Sequence, residues 1–207
     1  MNIKYKIEFH TDWHCGSGLA AGADVDALVV KDEKEMPFIP GKTIKGLVRE
    51  AVEELLLLKG DFQKKTETFI KTFGNSEDRN AMADDESNKA KDYNYMKKGD
   101  AFFKNATLDE KEYKAITSNT AARFMYRDIA STAIDNDGIT KEHSLRKMEV
   151  VVPCTLQGEI LNVPDDMADD IIQSFGFIKR MGQNRNRGLG RCTITVVERK
   201  EEDNDNA

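Results

Sequence analysis

Ile178-Lys179-Arg180-Met181-Gly182-Gln183-Asn184-Arg185-Asn186-Arg187-Gly188-Leu189-Gly190-Arg191 joins two periodic patterns of different kind. Before it, Pro164-Asp165-Asp166 opens a segment whose apolar residues Met167, Ile171, Ile172, Phe175 and Ile178 recur at helical spacing. After it, Cys192–Val197 reads as a terminal strand. The run itself is a loop, because Gly182, Gly188 and Gly190 tolerate unusual backbone and let it approach a ligand closely. It carries five cations, Lys179, Arg180, Arg185, Arg187 and Arg191, and no acidic residue. Cations grouped without counter-charges repel one another until an anion arrives, and guanidinium forks suit phosphate oxygens and base faces. The bland alternative is a solvated helix-to-strand turn with incidental charge, and the missing acids argue against it.

Outward from that loop, Met148–Thr155 and Gly158–Val163 read as two consecutive strands. Residues 131–146 hold the turn signal Asp135-Asn136-Asp137-Gly138 with polar flanks, and 107–130 read as helical. Phe102 and Phe103 are expected in the core. From Gly74 to Ala101 there is no Val, Leu, Ile, Phe or Trp, so about 74–101 is expected to be a mobile insertion. Ile44, Leu47, Val48, Ala51, Val52, Leu55 and Leu56 line one face of the clearest helix. Upstream, Ile3–His10 alternates as a half-buried strand, and Cys15–Gly22 is a glycine-rich loop. Glu198–Ala207 is expected to be a disordered acidic tail. The order is β-α-β-β-α-β, an α+β fold with a ferredoxin-like (RRM-like) core, as one domain over 1–197 with insertions. The open sheet face of such a core is a common RNA platform.

Hydrophobic residues make up 39% and charged ones 33%, the composition of a soluble, polar globular chain. No apolar run approaches the roughly 18 residues that cross a bilayer, and Met1-Asn2-Ile3-Lys4 has no signal-peptide pattern. Cys15, Cys154 and Cys192 have no metal-ligand spacing and fit reduced thiols in the cytoplasm. The formal net charge of −6 argues against nucleic acid until its distribution is considered. Lys42, Lys45 and Arg49 share one face near the start of the first helix. Cations there oppose the macrodipole, and a bound phosphate would reverse that penalty by using the free N–H groups and the charges together. Gly41-Lys42-Thr43 is not a P-loop, since Met36 stands where a glycine is required. His10, His14 and Cys15 are thin support for a metal site.

Four segments together resemble the repeat-associated (RAMP) superfamily of CRISPR proteins. The loop ending Arg187-Gly188-Leu189-Gly190 is similar to that family's C-terminal glycine-rich loop. Phe38-Ile39-Pro40-Gly41-Lys42-Thr43-Ile44-Lys45-Gly46-Leu47-Val48-Arg49 resembles its Pro-Gly-Ser-Ser-Leu-Lys-Gly-x-x-Arg approach to the first helix. Phe73-Gly74-Asn75-Ser76 is similar to its Phe-Gly-Ser signature. Thr132-Ala133-Ile134-Asp135 with Leu145-Arg146-Lys147-Met148-Glu149-Val150-Val151-Val152-Pro153 resembles its thumb hairpin and following strand.

The resemblance implies a guide-RNA-binding backbone subunit of a type III CRISPR effector complex, acting in antiviral defence. It implies copies of the chain in a filament along the guide, other effector subunits and target RNA as partners, and no membrane. The thumb around 131–146 would wedge into the guide–target duplex. His14, Lys42, Lys45, Arg49, Arg146, Arg180, Gly182, Arg185, Arg187 and Gly188 are the expected RNA contacts. The resemblance also implies target cleavage by Asp26 in the loop after the first strand, with a divalent ion (magnesium) as cofactor if that residue is catalytic. Asp24 lies close by, and Ala27-Leu28 departs from the family's Asn-Pro after the aspartate. Two alternatives stand: a guide-precursor-processing endoribonuclease using His14 or His143, and a non-catalytic RNA-binding scaffold.

Overall fold

The computed structural model describes residues 1–20, 25–75 and 98–200. Asp24, most of the expected insertion (76–97) and tail residues 201–207 lie outside the described residues.

β1 (Asn2–Phe9) organises the main sheet. Its alternation buries Ile3, Tyr5, Ile7 and Phe9 and leaves Lys4, Lys6 and Glu8 exposed. It pairs antiparallel with β6 (Thr155–Leu161) on one side and β7 (Cys192–Lys200) on the other, so Ile7 faces both Leu156 and Ile194. β2 (Phe102–Phe103) and β3 (Thr107–Leu108) add antiparallel to the far edge of β6. The strand order is β2-β6-β1-β7, with β3 also on β6. Tyr5 lies across from Gly158, where an added Cβ would sit 2.4 Å from the phenol oxygen, so only glycine admits the buried ring.

Helices cover the apolar face. α1 (Gly41–Lys59) turns Ile44, Val48, Val52 and Leu56 inward, and α4 (Asp165–Ser174) contributes Met167 and Ile171. α1 starts against β2: a Cβ on Gly41 would lie 1.9 Å from the Phe103 carbonyl oxygen. α2 (Phe62–Phe73) packs on both α1 and α4. Its sequence is mostly polar, and a run of rings lines its apolar side, Phe62 on Phe69 at 5.7 Å and Phe69 on Phe73 at 5.1 Å, with Phe73 reaching Phe103 of β2 at 6.1 Å. Asp170 of α4, 3% exposed, accepts from Lys59 of α1 at 2.8 Å and Lys65 of α2 at 2.5 Å. Burial pushes this carboxyl up, but the two ammonium groups together outweigh it and hold the pKa below its ordinary value.

Several expectations need correction. Residues 107–130 are not one helix: they hold β3, a short α3 (Glu110–Ser118), a 3-10 turn at Ala122–Met125 and most of β4 (Tyr126–Ser131). β4 forms because β5 (Arg146–Val151), distant in sequence, supplies its ladder from Tyr126↔Val151 to Ser131↔Arg146. The strand expected at Met148–Thr155 is therefore in this separate two-stranded sheet, ending before Pro153, which has no N–H to donate. Its place beside β6 is taken by β2 and β3. Phe103 is buried, but Phe102 lies on the open face and is 55% exposed. α4 stops at Ser174, with Ile178 still buried in the turns that follow. β7 runs to Lys200, so Glu198–Lys200 are strand rather than tail, with Lys4 paired to Glu198 at 2.7 Å.

Candidate nucleic-acid interface

The segment after β1 is where the separate parts of the chain meet. The Asp12 carbonyl accepts the Gly190 N–H at 2.7 Å, and the His14 carbonyl accepts the Gln183 N–H at 2.9 Å. Trp13 exchanges both backbone bonds with Val151 of β5, at 3.0 and 2.8 Å. The next residue but one, Cys15, is buried with its thiol beside the Thr43 side chain in the first turn of α1. Neighbouring residues thus hold the glycine–arginine loop and the hairpin next to the basic start of α1.

Loop 181–191 is pinched at its base, where Met181 donates to the Gly190 carbonyl at 2.9 Å and Arg180 bridges Arg191. Left-handed backbone at Gly182 (φ 88°), Asn184 (55°), Gly188 (96°) and Gly190 (69°) folds it back on itself. At Gly182 and Gly190 there is no room for a side chain: an added Cβ would lie 2.2 Å from the His14 oxygen and 1.8 Å from the Met181 oxygen respectively. Gly188 faces open space. Lys179, Arg180, Arg185, Arg187 and Arg191 are all exposed. Arg180 donates to the Arg185 carbonyl at 2.9 Å, and none of the five has an ion-pair partner among the described residues.

At α1, Lys42 is exposed and Lys45 and Arg49 are half-buried, with no acid in the first turn. Burial, then the cations Lys98 and Arg49, push the Lys45 ammonium below its ordinary pKa. The Arg49 guanidinium lies 5.5 Å from the Phe69 ring centre, which leaves its N–H edge available. Lys98 is an addition to the sequence reading, because it falls in the stretch expected to be mobile.

Arg146 is exposed at the start of β5. Asp26 is also exposed and is laid along the free edge of β5: its N–H donates to the Lys147 carbonyl at 2.9 Å, and its carboxylate accepts the Lys147 N–H at 2.8 Å. Ala27 continues this with a parallel bridge to Met148. No group of three or more His, Cys, Asp or Glu among the described residues is arranged to hold a metal ion.

His14 is placed otherwise than expected. It is 1% exposed, its Nδ1 lies 2.7 Å from the Glu149 carbonyl oxygen, and its Nε2 is closed off beside Gly16. The ring is inside the protein, and only the backbone of His14 serves the loop. His143 is exposed in the hairpin connection at φ 56°. Burial raises the thiols of Cys154 and Cys192 to about 11, which makes them poor nucleophiles. Among the described residues, the open sheet face, with Lys4, Lys6, Glu8, Gln157, Glu159 and Thr195, has no stacking aromatic beyond Phe102 at its edge.

Asp12, Arg127 and Glu149 carry no signal in the sequence. Asp12, 6% exposed, accepts from Arg127 of β4. Glu149 takes the Val29 N–H at 3.0 Å and the Lys31 ammonium at 2.7 Å. Each reads locally as an ordinary surface charge, and only the fold shows what it holds.

The chain folds as antiparallel sheets with helices on one face and carries a basic, glycine-rich loop, and its sequence matches a known family model. Residues 6–193 match the RAMP superfamily, and the chain belongs to it. A chain of the type III-B Cmr-beta complex bound to cognate target RNA, solved by cryo-EM, superposes with a TM-score of 0.65 at 12% identity, covering 95% of this chain and 97% of that one. A chain of the apo state of type III-B Cmr-beta gives 0.61 at 13%, covering 96% and 98%. No curated protein matches the sequence. No helix among the described residues is long and apolar enough to cross a membrane.

Proposed function

We propose that this chain is an RNA-binding backbone subunit of a type III CRISPR effector complex, holding a guide strand for pairing with its target. One observation carries the reading: two basic junctions without acids, the start of α1 and loop 181–191, meet the same segment, where Asp12 and His14 hold the loop by backbone bonds and Cys15 lies beside Thr43. Such a surface meets a polyanion through its backbone and leaves base pairing to supply sequence. Membership of the RAMP superfamily and the fold shared with a chain of an RNA-bound Cmr-beta structure support it. The order β2-β6-β1-β7 supports a ferredoxin-like core in which Phe102–Phe103 is the second strand. Copies would stack head to tail along the guide. The hairpin, with Ile134, Ile139 and Leu145 exposed at its connection, would wedge into the duplex.

Target cleavage by Asp26 belongs to the same proposal. Among the described residues the groups there do not make a metal site, since no three metal-ligating side chains come together and one Asp26 oxygen already accepts the Lys147 N–H. What the chain itself offers is a base that can take the proton of a 2′-hydroxyl attacking the adjacent phosphate, with the P–O5′ bond breaking to leave a 2′,3′-cyclic phosphate and a 5′-oxygen that takes its proton from water. With His14 buried, the precursor-processing alternative is left with His143 as its candidate histidine.

Filter binding of a single-stranded RNA across a salt series tests the core claim. Lys45→Ala with Arg49→Ala should weaken binding equally for unrelated sequences and reduce the log–log salt slope by about 1.4, roughly 0.7 for each phosphate no longer neutralised. An unchanged slope removes α1 from the interface.

A further inference from the structure

We propose, resting on the RNA-binding reading above, that the Asp12–Arg127 ion pair is a positioning device that sets the angle of the β4–β5 hairpin against the glycine–arginine loop. It thereby sets where along a bound RNA the hairpin falls.

The two edges of the hairpin are held differently. β5 is fixed by backbone bonds to Trp13, Asp26 and Ala27, while β4 reaches the body through two side chains at its base, Tyr126 and Arg127. Tyr126 donates to the Glu35 carbonyl at 2.6 Å. Arg127 sends both Nε–H, at 2.7 Å, and Nη2–H to a single oxygen of Asp12. The Asp12 carbonyl meanwhile takes the Gly190 N–H, and the neighbouring Thr11 hydroxyl accepts the Arg191 N–H at 3.0 Å. One residue thus touches hairpin and loop at once. A planar guanidinium on a carboxylate restricts orientation, where an apolar contact of equal strength would let the hairpin swivel.

Burial is lopsided: the Asp12 side chain is 6% exposed and that of Arg127 62%. Removing Arg127 strands a buried carboxylate, whereas removing Asp12 leaves a guanidinium that water can solvate. Asp12→Ala is therefore the clean perturbation, and it also separates positioning from direct contact. If Arg127 merely met a phosphate, Asp12→Ala would leave that cation, delete a negative charge and tighten RNA binding. If the pair positions the hairpin, the same change weakens binding.

The full-length protein is followed by amide hydrogen exchange without RNA, then with guide–target duplexes carrying 2-aminopurine at successive positions. Asp12→Ala should speed exchange in residues 126–131 and lower duplex affinity about three- to tenfold, the size of a charged hydrogen bond partly exposed to water. The 2-aminopurine signal should spread from one position over its neighbours. Arg127→Lys should keep the single position, and the double variant with both alanines should be no weaker than Arg127→Ala. Exchange unaltered in Asp12→Ala, or binding as tight as wild type with the same fluorescent position, overturns the proposal. Failure of the wild type to bind any RNA strikes at the function instead, and the exchange result then still judges the tie between hairpin and loop.

Discussion

Replacing Asp26 by asparagine and, separately, by alanine distinguishes two jobs that one carboxylate can do. The Asp26 carboxylate accepts the Lys147 N–H at 2.8 Å and so helps dock the loop before β5 onto the hairpin. An asparagine oxygen can accept the same bond but cannot act as a base, while alanine can do neither. Hydrogen bonds to exposed charged groups are worth roughly 1 kcal/mol, about fivefold in a docking equilibrium. Loss of a general base costs more, about a hundredfold to ten-thousandfold in rate. The assay is target-RNA cleavage by the effector complex assembled with each variant, alongside hydrogen exchange at the Lys147 amide. A catalytic Asp26 makes both variants fall by about a hundredfold or more, with faster Lys147 exchange in the alanine variant alone. Full cleavage with asparagine and a roughly fivefold loss with alanine would reduce Asp26 to a latch. Exchange at Lys147 that is the same in all three proteins would refute the latch itself.

The glycine loop gives a matched pair. Gly182→Ala places a Cβ 2.2 Å from the His14 oxygen, while Gly188→Ala meets open space at a similar φ, so both carry left-handed strain of about 1 kcal/mol but only the first must unseat the loop. Thermal melts should show a clearly larger loss for Gly182→Ala than for Gly188→Ala; equal losses would mean that the His14 contact is irrelevant. Asp170 predicts an acid sensitivity of the fold. Its folded pKa lies below the unfolded value near 3.9, so its stabilisation is complete above that pH and disappears as pH falls through the folded pKa. Thermal melts from pH 6 to pH 2 should show Asp170→Asn less stable than wild type at the upper end, with the gap closing at the lower; a constant gap contradicts the assignment. Lys59→Ala with Lys65→Ala leaves that carboxylate buried and unpaired, so urea unfolding at pH 7 should show a loss of about 3 kcal/mol or more.

Local periodicity was enough for the parts of this protein whose partners lie nearby in sequence. The alternation of β1, the apolar stripe of α1 and the glycine–arginine run before β7 are each legible because side-chain direction follows backbone period within a few residues. The acid-free basic loop was likewise visible, since charge and glycine spacing need no fold to be counted. Tertiary structure alone determined the rest. β4 is a strand only because β5 faces it, and two residues at 102–103 displaced an apparently better strand from the sheet because α1 brings its Gly41 against them. The buried place of His14 and the tie from Asp12 to Arg127 depend on contacts across more than a hundred residues of chain. Burial and long-range pairing are properties of the packed molecule, so a polar residue that reads as surface in the sequence can be the one that holds the surface in place.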